Sequence, residues 1–128
     1  MKDCEEENYY FCAYGFKNDV GINTDLLKDS KERLVFVNQT TEIASNVFAI
    51  TDISTKYDQP KGNRYLYTQS KSGWKSDTFD HELLLVIKEH DGLVIFTGCA
   101  HSGVLNMVDT AVTYFPGERI KAVVGDFT

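Results

Sequence analysis

The chain has 128 residues, of which 42% are hydrophobic and 25% charged, and it carries a formal net charge of −6. That length and balance suit one soluble globular domain with a single core. The acidic charge argues against a nucleic-acid partner, which wants a basic face, and no run approaches the roughly 20 apolar residues of a membrane span.

The opening "MKDCEEENYY" is acidic, has no apolar stretch of the kind a signal peptide needs, and reads as a solvated end. The three cysteines, Cys4, Cys12 and Cys99, form neither a disulfide framework nor a zinc-ribbon spacing, which fits a reducing cytoplasm. With no signal-peptide pattern in view, the sequon at Asn38 is discounted. "NYYFCAYGF" is dense in aromatics and must be partly buried, as helix or strand. "NTDLLKDSKERL" offers an N-cap at Asn23 or Thr24 and then a short helix. "RLVFVN" predicts a buried strand, and "TEIASNVFAITDI" a turn and a further strand carrying Val47, Phe48 and Ile50. The polar stretch from Ser54 to Asp80 holds Pro60, Gly62 and Gly73 and is long for a plain connection. It is either a functional loop or a hairpin of its own, with "RYLYTQ" as a strand inside it.

The second half is more sharply punctuated. "HELLLVIKEHDGLVIFTG" predicts two strands about a tight turn at His90-Asp91-Gly92. Val104, Leu105, Val108, Ala111, Val112 and Phe115 recur at helical spacing, and Pro116-Gly117 stops that helix. "RIKAVVGDFT" predicts a last strand. An antiparallel pair followed by a strand–helix–strand crossover predicts an α/β layered sandwich.

The chemistry concentrates where a buried strand opens into "GCAHSG". Cys99 and His101 lie two residues apart in the turn before the helix, flanked by Gly98 and Gly103. Strand ends of open α/β sheets are where sites are built. Thiolate and imidazole both suit zinc or iron. A nucleophilic cysteine activated by His101 is a second reading. The third is structural, with Cys99 a small buried apolar residue and His101 capping the helix or meeting water. Asp77, Asp80, His81 and Glu82 precede a strand and could complete a site or merely solvate its start. Asp126 ends the last strand in a position parallel to Cys99, as a ligand or supporting carboxylate or as part of a frayed end. His90, beside a hairpin turn, carries little functional weight. Tyr9, Tyr10, Tyr14, Tyr65 and Tyr67 with Trp74 read as packing residues rather than a nucleic-acid stacking platform.

"FDHELLLVIKEHDGLVIFTGCAHSGVLNMV" followed by "IKAVVGDF" resembles the C-terminal part of metallo-β-lactamase-fold hydrolases, in particular the dihydropterin-methyl-ribofuranosylaminobenzene-phosphate synthase-like subgroup. Gly98, Cys99, Ala100, His101, Gly103, Val104 and Asn106 match that subgroup's central signature. "YYFCAYG", "VGIN", "DLLKDSKERLVFV" and "TEIASNVFAITDI" agree more loosely. The resemblance implies an α/β fold, the C-terminal half of an αβ/βα sandwich with helices on one side of a mixed sheet. It implies a single partial domain over residues 1–128 and a divalent metal, zinc foremost, in the complete family site. It also implies ligand roles for His101 and, around it, Cys99, His81 and Asp126. Cys99 stands where relatives commonly carry a bridging aspartate.

Two departures qualify those implications. The family's His-x-His-x-Asp-His motif is not among the three histidines, His81, His90 and His101. The family's final histidine falls on Thr128, and the Asp of its Asp-Glu pair falls on His81, with Glu82 kept. The expectation is therefore the C-terminal portion of a metal-dependent hydrolase, inactive as an isolated chain and binding metal weakly or not at all. The alternative is a degenerate binding or assembly domain of the same fold. Strands such as "LLLVI" and "LVIF" look built for burial on both faces. A homo-oligomer or a complementary N-terminal half is the expected partner.

Overall fold

The computed structural model describes residues 8–127. Thr128, onto which the family's last histidine falls, and Cys4 lie outside the described residues. The elements form two sheets. The first is antiparallel, in the order β2-β1-β5-β6, with β1 Asn8–Ala13, β2 Phe16–Asp19, β5 Leu66–Ser70 and β6 Gly73–Ser76. The second runs β3-β4-β7-β8-β9, with β3 Thr41–Ala44, β4 Val47–Ile50, β7 Leu84–Glu89, β8 Gly92–Phe96 and β9 Ile120–Val124. Its pairs are antiparallel except β8 with β9. Helix α2, Val104–Tyr114, makes the crossover that a parallel pair requires.

Leu84, Val86, Leu93 and Ile95 alternate along β7 and β8 and are fully buried. With Ile50, Ala100, Met107 and Ala111 they form the core between the second sheet and α2. Each of the larger of these side chains, the two alanines aside, contributes about 1.5–3 kcal/mol on leaving water. The apolar stripe of α2 thus finds its partner, and the helix ends at Phe115 before Pro116 and Gly117, the latter at φ 82°. The turn between β7 and β8 depends on Gly92. Its φ is 146°, and a Cβ there would sit 2.5 Å from the Arg119 carbonyl oxygen, which accepts the Leu93 amide.

Helix α1, Thr24–Asp29, starts from Asn23, whose side-chain oxygen accepts the amides of Asp25 and Leu26. "NYYFCAYGF" is a hairpin, turning at Tyr14 and Gly15 with positive φ at both. "TEIASNVFAI" is likewise a hairpin, turning at Asn46. The Ser54–Asp80 stretch contains a 3₁₀ turn at Lys61–Tyr65 and the β5–β6 hairpin. One expectation is corrected. "RLVFVN" is not a buried strand: residues 34–37 join no sheet, and Val35 is 74% exposed while only Val37 is buried. An apolar run signals burial, but a strand also needs a neighbour in register, which periodicity alone does not supply.

Candidate functional site

The end of β8 and the start of α2 are joined by Thr97–Gly103, and this turn is held in an unusual shape. Ala100 sits at φ 53° and Gly103 at φ 95°. Left-handed backbone is costly for alanine, and the surroundings hold it there. Glu82, just before β7, places one carboxylate oxygen 2.7 Å from the His101 amide and the other 2.7 Å from the Ser102 amide. Two charge-assisted hydrogen bonds to successive amides grip the turn from below. Asn63, in the 3₁₀ turn, donates to the His101 carbonyl at 2.6 Å, and its side-chain oxygen lies 3.2 Å from His101 Nδ1.

The ring of His101 stacks on Phe79 at 4.8 Å between centroids and 17° between planes. Phe79 is itself placed by Asp77, whose carboxylate accepts the Phe79 amide at 2.8 Å while Phe79 adopts φ 58°. Behind the turn, fully buried Asn106 spends its amide on three hydrogen bonds. Its oxygen accepts the Tyr57 amide at 2.8 Å, and its nitrogen donates to the carbonyls of Tyr57 and Ser102. The Tyr57 loop, the turn and α2 are thereby one unit.

His101 lines a cleft of about 340 Å³ together with Tyr9, Phe11 and Leu66 of the first sheet's strands and with Phe79, His81 and Cys99 from the loops before β7 and after β8. His81 lies edge-on to Tyr9 at 4.8 Å, and its Nδ1 is 3.8 Å from Asp77, too long for a hydrogen bond. Of the expected site residues, His101, Cys99 and His81 share this cleft, and Asp77 joins them. Asp126 does not line it. That residue is exposed, and its amide donates to the Gly98 carbonyl at 3.2 Å beside Cys99. Asp80 accepts a hydrogen bond from Thr78, and His90 is exposed beside Asp91. Cys99 is exposed rather than packed, so the reading of it as a small core residue does not hold.

The donor set does not by itself fit a hydrolytic metal centre. Among the described residues no group of three or more His, Cys, Asp or Glu side chains is arranged to hold a metal ion. Such a site needs about three protein ligands and a water, and both oxygens of Glu82 are already committed to backbone amides. Sequence reasoning named Glu82 without its role and missed Asn63 and Phe79 altogether. The Asp77–Phe79 link carried a weak local signal, because an Asp side chain readily accepts the amide two residues on as an Asx-turn.

Away from the cleft, Lys56 holds the Asp109 carboxyl below the usual range by a hydrogen bond at 2.9 Å, with Ser54 adding a second. No family model matches the chain. No curated protein matches it either. Among solved structures it is similar to Tm1679, a metal-dependent hydrolase of the β-lactamase superfamily, with TM-score 0.74 and 26% sequence identity. The match covers 93% of this chain and 44% of that one, so the chain spans less than half the length of its neighbour. The expected fold is the one observed: a mixed sheet with its helix on one side, forming part of a metallo-β-lactamase-type sandwich.

Proposed function

We propose that this chain is the C-terminal portion of a metal-dependent hydrolase of the metallo-β-lactamase superfamily, catalytically silent as an isolated chain. The observation that carries the reading is the superposition on a metal-dependent hydrolase over nearly the whole chain. The "GCAHSG" turn is consistent with it, since a half-buried imidazole is held at a strand end by Glu82 and Asn63. In this reading His101 is the contribution to a site whose other ligands come from outside the described residues, with Cys99 and His81 beside it. The signature from Gly98 to Asn106 favours the dihydropterin-methyl-ribofuranosylaminobenzene-phosphate synthase-like subgroup, and zinc in a cytoplasmic setting. A degenerate binding or assembly domain is the second reading, favoured by the absence of a three-ligand group among the described residues.

The test is an assay of the purified chain, with and without added zinc, on phosphodiester, lactone and β-lactam substrates, with elemental analysis alongside. The expected result is no turnover above background and substoichiometric zinc after dialysis against a mild chelator. Metal-dependent turnover that vanishes in His101→Ala would overturn the proposal of a silent chain. Tight stoichiometric zinc would show that the ligand set is complete without a contribution from elsewhere.

A further inference from the structure

His101 is held at three atoms, and two of the three holds come from one side chain. Its amide donates to Glu82, its carbonyl accepts from Asn63 Nδ2 at 2.6 Å, and its Nδ1 lies 3.2 Å from Asn63 Oδ1. The two Asn63 contacts fix each other's sense. A carbonyl oxygen only accepts, so the Asn63 atom against it is the NH2. The other end of that amide is then an oxygen, which also only accepts, and the His101 nitrogen facing it must carry the proton. Turning the ring over would set a carbon against that oxygen and forfeit the bond. A neutral imidazole protonated at Nδ1 keeps its lone pair at Nε2. Nε2 has no hydrogen-bond partner among the described residues. Asn63 occupies one edge of the ring and Phe79 one face. What the ring leaves to the cleft it lines is its remaining edge, where Nε2 sits.

We propose that Asn63 is a positioning residue that locks His101 as the Nδ1–H tautomer, so that the cleft is offered an electron pair at Nε2 and not an N–H. Free histidine in water favours the opposite tautomer, so the lock reverses an intrinsic preference. What Nε2 can hold is then a group that accepts an electron pair: an N–H or O–H of a bound molecule, or a metal ion. The oxygen of an anion is refused unless it brings its own proton. His81 lacks such a lock, because its Nδ1 lies 3.8 Å from Asp77, too far for the hydrogen bond that would set its tautomer. The inference rests on the hydrolase reading only for the use made of Nε2. The tautomer itself is a property of the metal-free chain and is measured there.

Nitrogen-15 NMR of the uniformly labelled, metal-free chain at about pH 9, where free histidine is neutral, reads the proton's position from the two ring-nitrogen shifts. His81→Gln and His90→Gln remove the other two histidines in turn and so assign the His101 signals. The expected wild-type form is Nδ1–H, in excess by about tenfold, which is what one hydrogen bond can support. Asn63→Ala removes both contacts and returns Nε2–H to the majority. Asn63→Asp keeps an acceptor at Nδ1 but loses the donor to the His101 carbonyl; it restores Nδ1–H although the turn is weakened. A staple that only joined the two loops would leave the tautomer ratio alike in all three proteins. Nε2–H as the wild-type majority overturns the proposal without reference to any variant, so it stays falsifiable even where Asn63→Ala fails to fold. A folded Asn63→Ala that keeps Nδ1–H overturns it too, as does loss of Nδ1–H in Asn63→Asp. Turnover and zinc content, which decide the hydrolase reading, move none of these signals.

Discussion

Glu82→Ala removes the acceptor of two backbone amides at once. Both bonds are short at 2.7 Å, and both are made to an ionised group. Hydrogen bonds to charged groups are worth about 1.5–3 kcal/mol each, and an amide left unsatisfied in a buried turn forfeits its full desolvation cost. Ser102 is only 7% exposed, so water does not easily replace the carboxylate at its amide. The His101 amide is nearer the cleft and is open to a water substitute. Counting the Ser102 bond in full and the His101 bond in part gives a loss of about 2–4 kcal/mol. For a domain of this size that lowers Tm by roughly 8–15 °C. Glu82→Gln keeps one acceptor oxygen but turns an NH2 toward the other amide, and it should fall between Ala and wild type. Calorimetry gives Tm, and the His101 ring resonances report whether the imidazole has lost its contact with Phe79. A Tm within about 2 °C of wild type for Glu82→Ala would refute the reasoning, since it would mean the turn holds without its anchor.

Asn106→Leu fills a similar volume but strands the Tyr57 amide and two carbonyls. We expect a loss of about 2–4 kcal/mol, with hydrogen exchange rising first around residues 57–63; denaturant midpoints and exchange rates check both. The Asp109–Lys56 pair sets a pH dependence of known sign. Its hydrogen bond to Lys56, then that from Ser54, depresses the Asp109 pKa, so its stabilisation is present above about pH 4 and is lost as pH falls through the lowered value. Lys56 is raised by Asp109 and then Tyr57, so its share is present below about pH 10.5 and is lost above the raised value. The Tm difference between wild type and Asp109→Asn should therefore be flat at neutral pH, shrink toward zero in acid, and decrease with salt. A difference that persists undiminished at about pH 2 would contradict that assignment.

The parts of the fold legible in the sequence were those whose signals are local. Asp91-Gly92 between two apolar runs gave the β7–β8 hairpin, and three-and-four spacing followed by Pro116-Gly117 gave α2. What was not legible depended on partners far along the chain. "NYYFCAYGF" could be helix or strand until β5 supplied its ladder, since aromatics serve either element. "LVFV" lacked the sheet neighbour that would have made it a strand. At the site, Cys99 and His101 stood out because reactive residue types in a glycine-flanked turn are visible one at a time. Asn63 did not, because an asparagine in a polar loop carries no sign that its contact is 38 residues away. Glu82 was visible as a charge before a strand, but nothing local says that the amides it accepts lie 19 and 20 residues on.

Among the described residues, four other than glycine carry positive φ: Tyr14, Asn46, Phe79 and Ala100. Tyr14 and Asn46 sit in hairpin turns, where such geometry matches strand twist. Phe79 and Ala100 have no hairpin to serve, and they bracket His101: Phe79 stacks on its ring, and Ala100 immediately precedes it. Each left-handed non-glycine residue costs on the order of 1–3 kcal/mol and persists only where its surroundings over-determine it. Here they do, through Asp77 on Phe79 and through Glu82 and Asn63 on the His101 turn. Glycine would adopt this backbone at position 100 without that cost, yet the chain carries a buried alanine there, with a carboxylate holding the two amides that follow. Backbone strain held by named hydrogen bonds on both sides of one imidazole marks that imidazole as the group whose placement the local structure serves. This separates His101 from the exposed His90 on physical grounds, whereas His81, whose ring also lies 6.2 Å from that of Phe79, shares only the Phe79 side of that support.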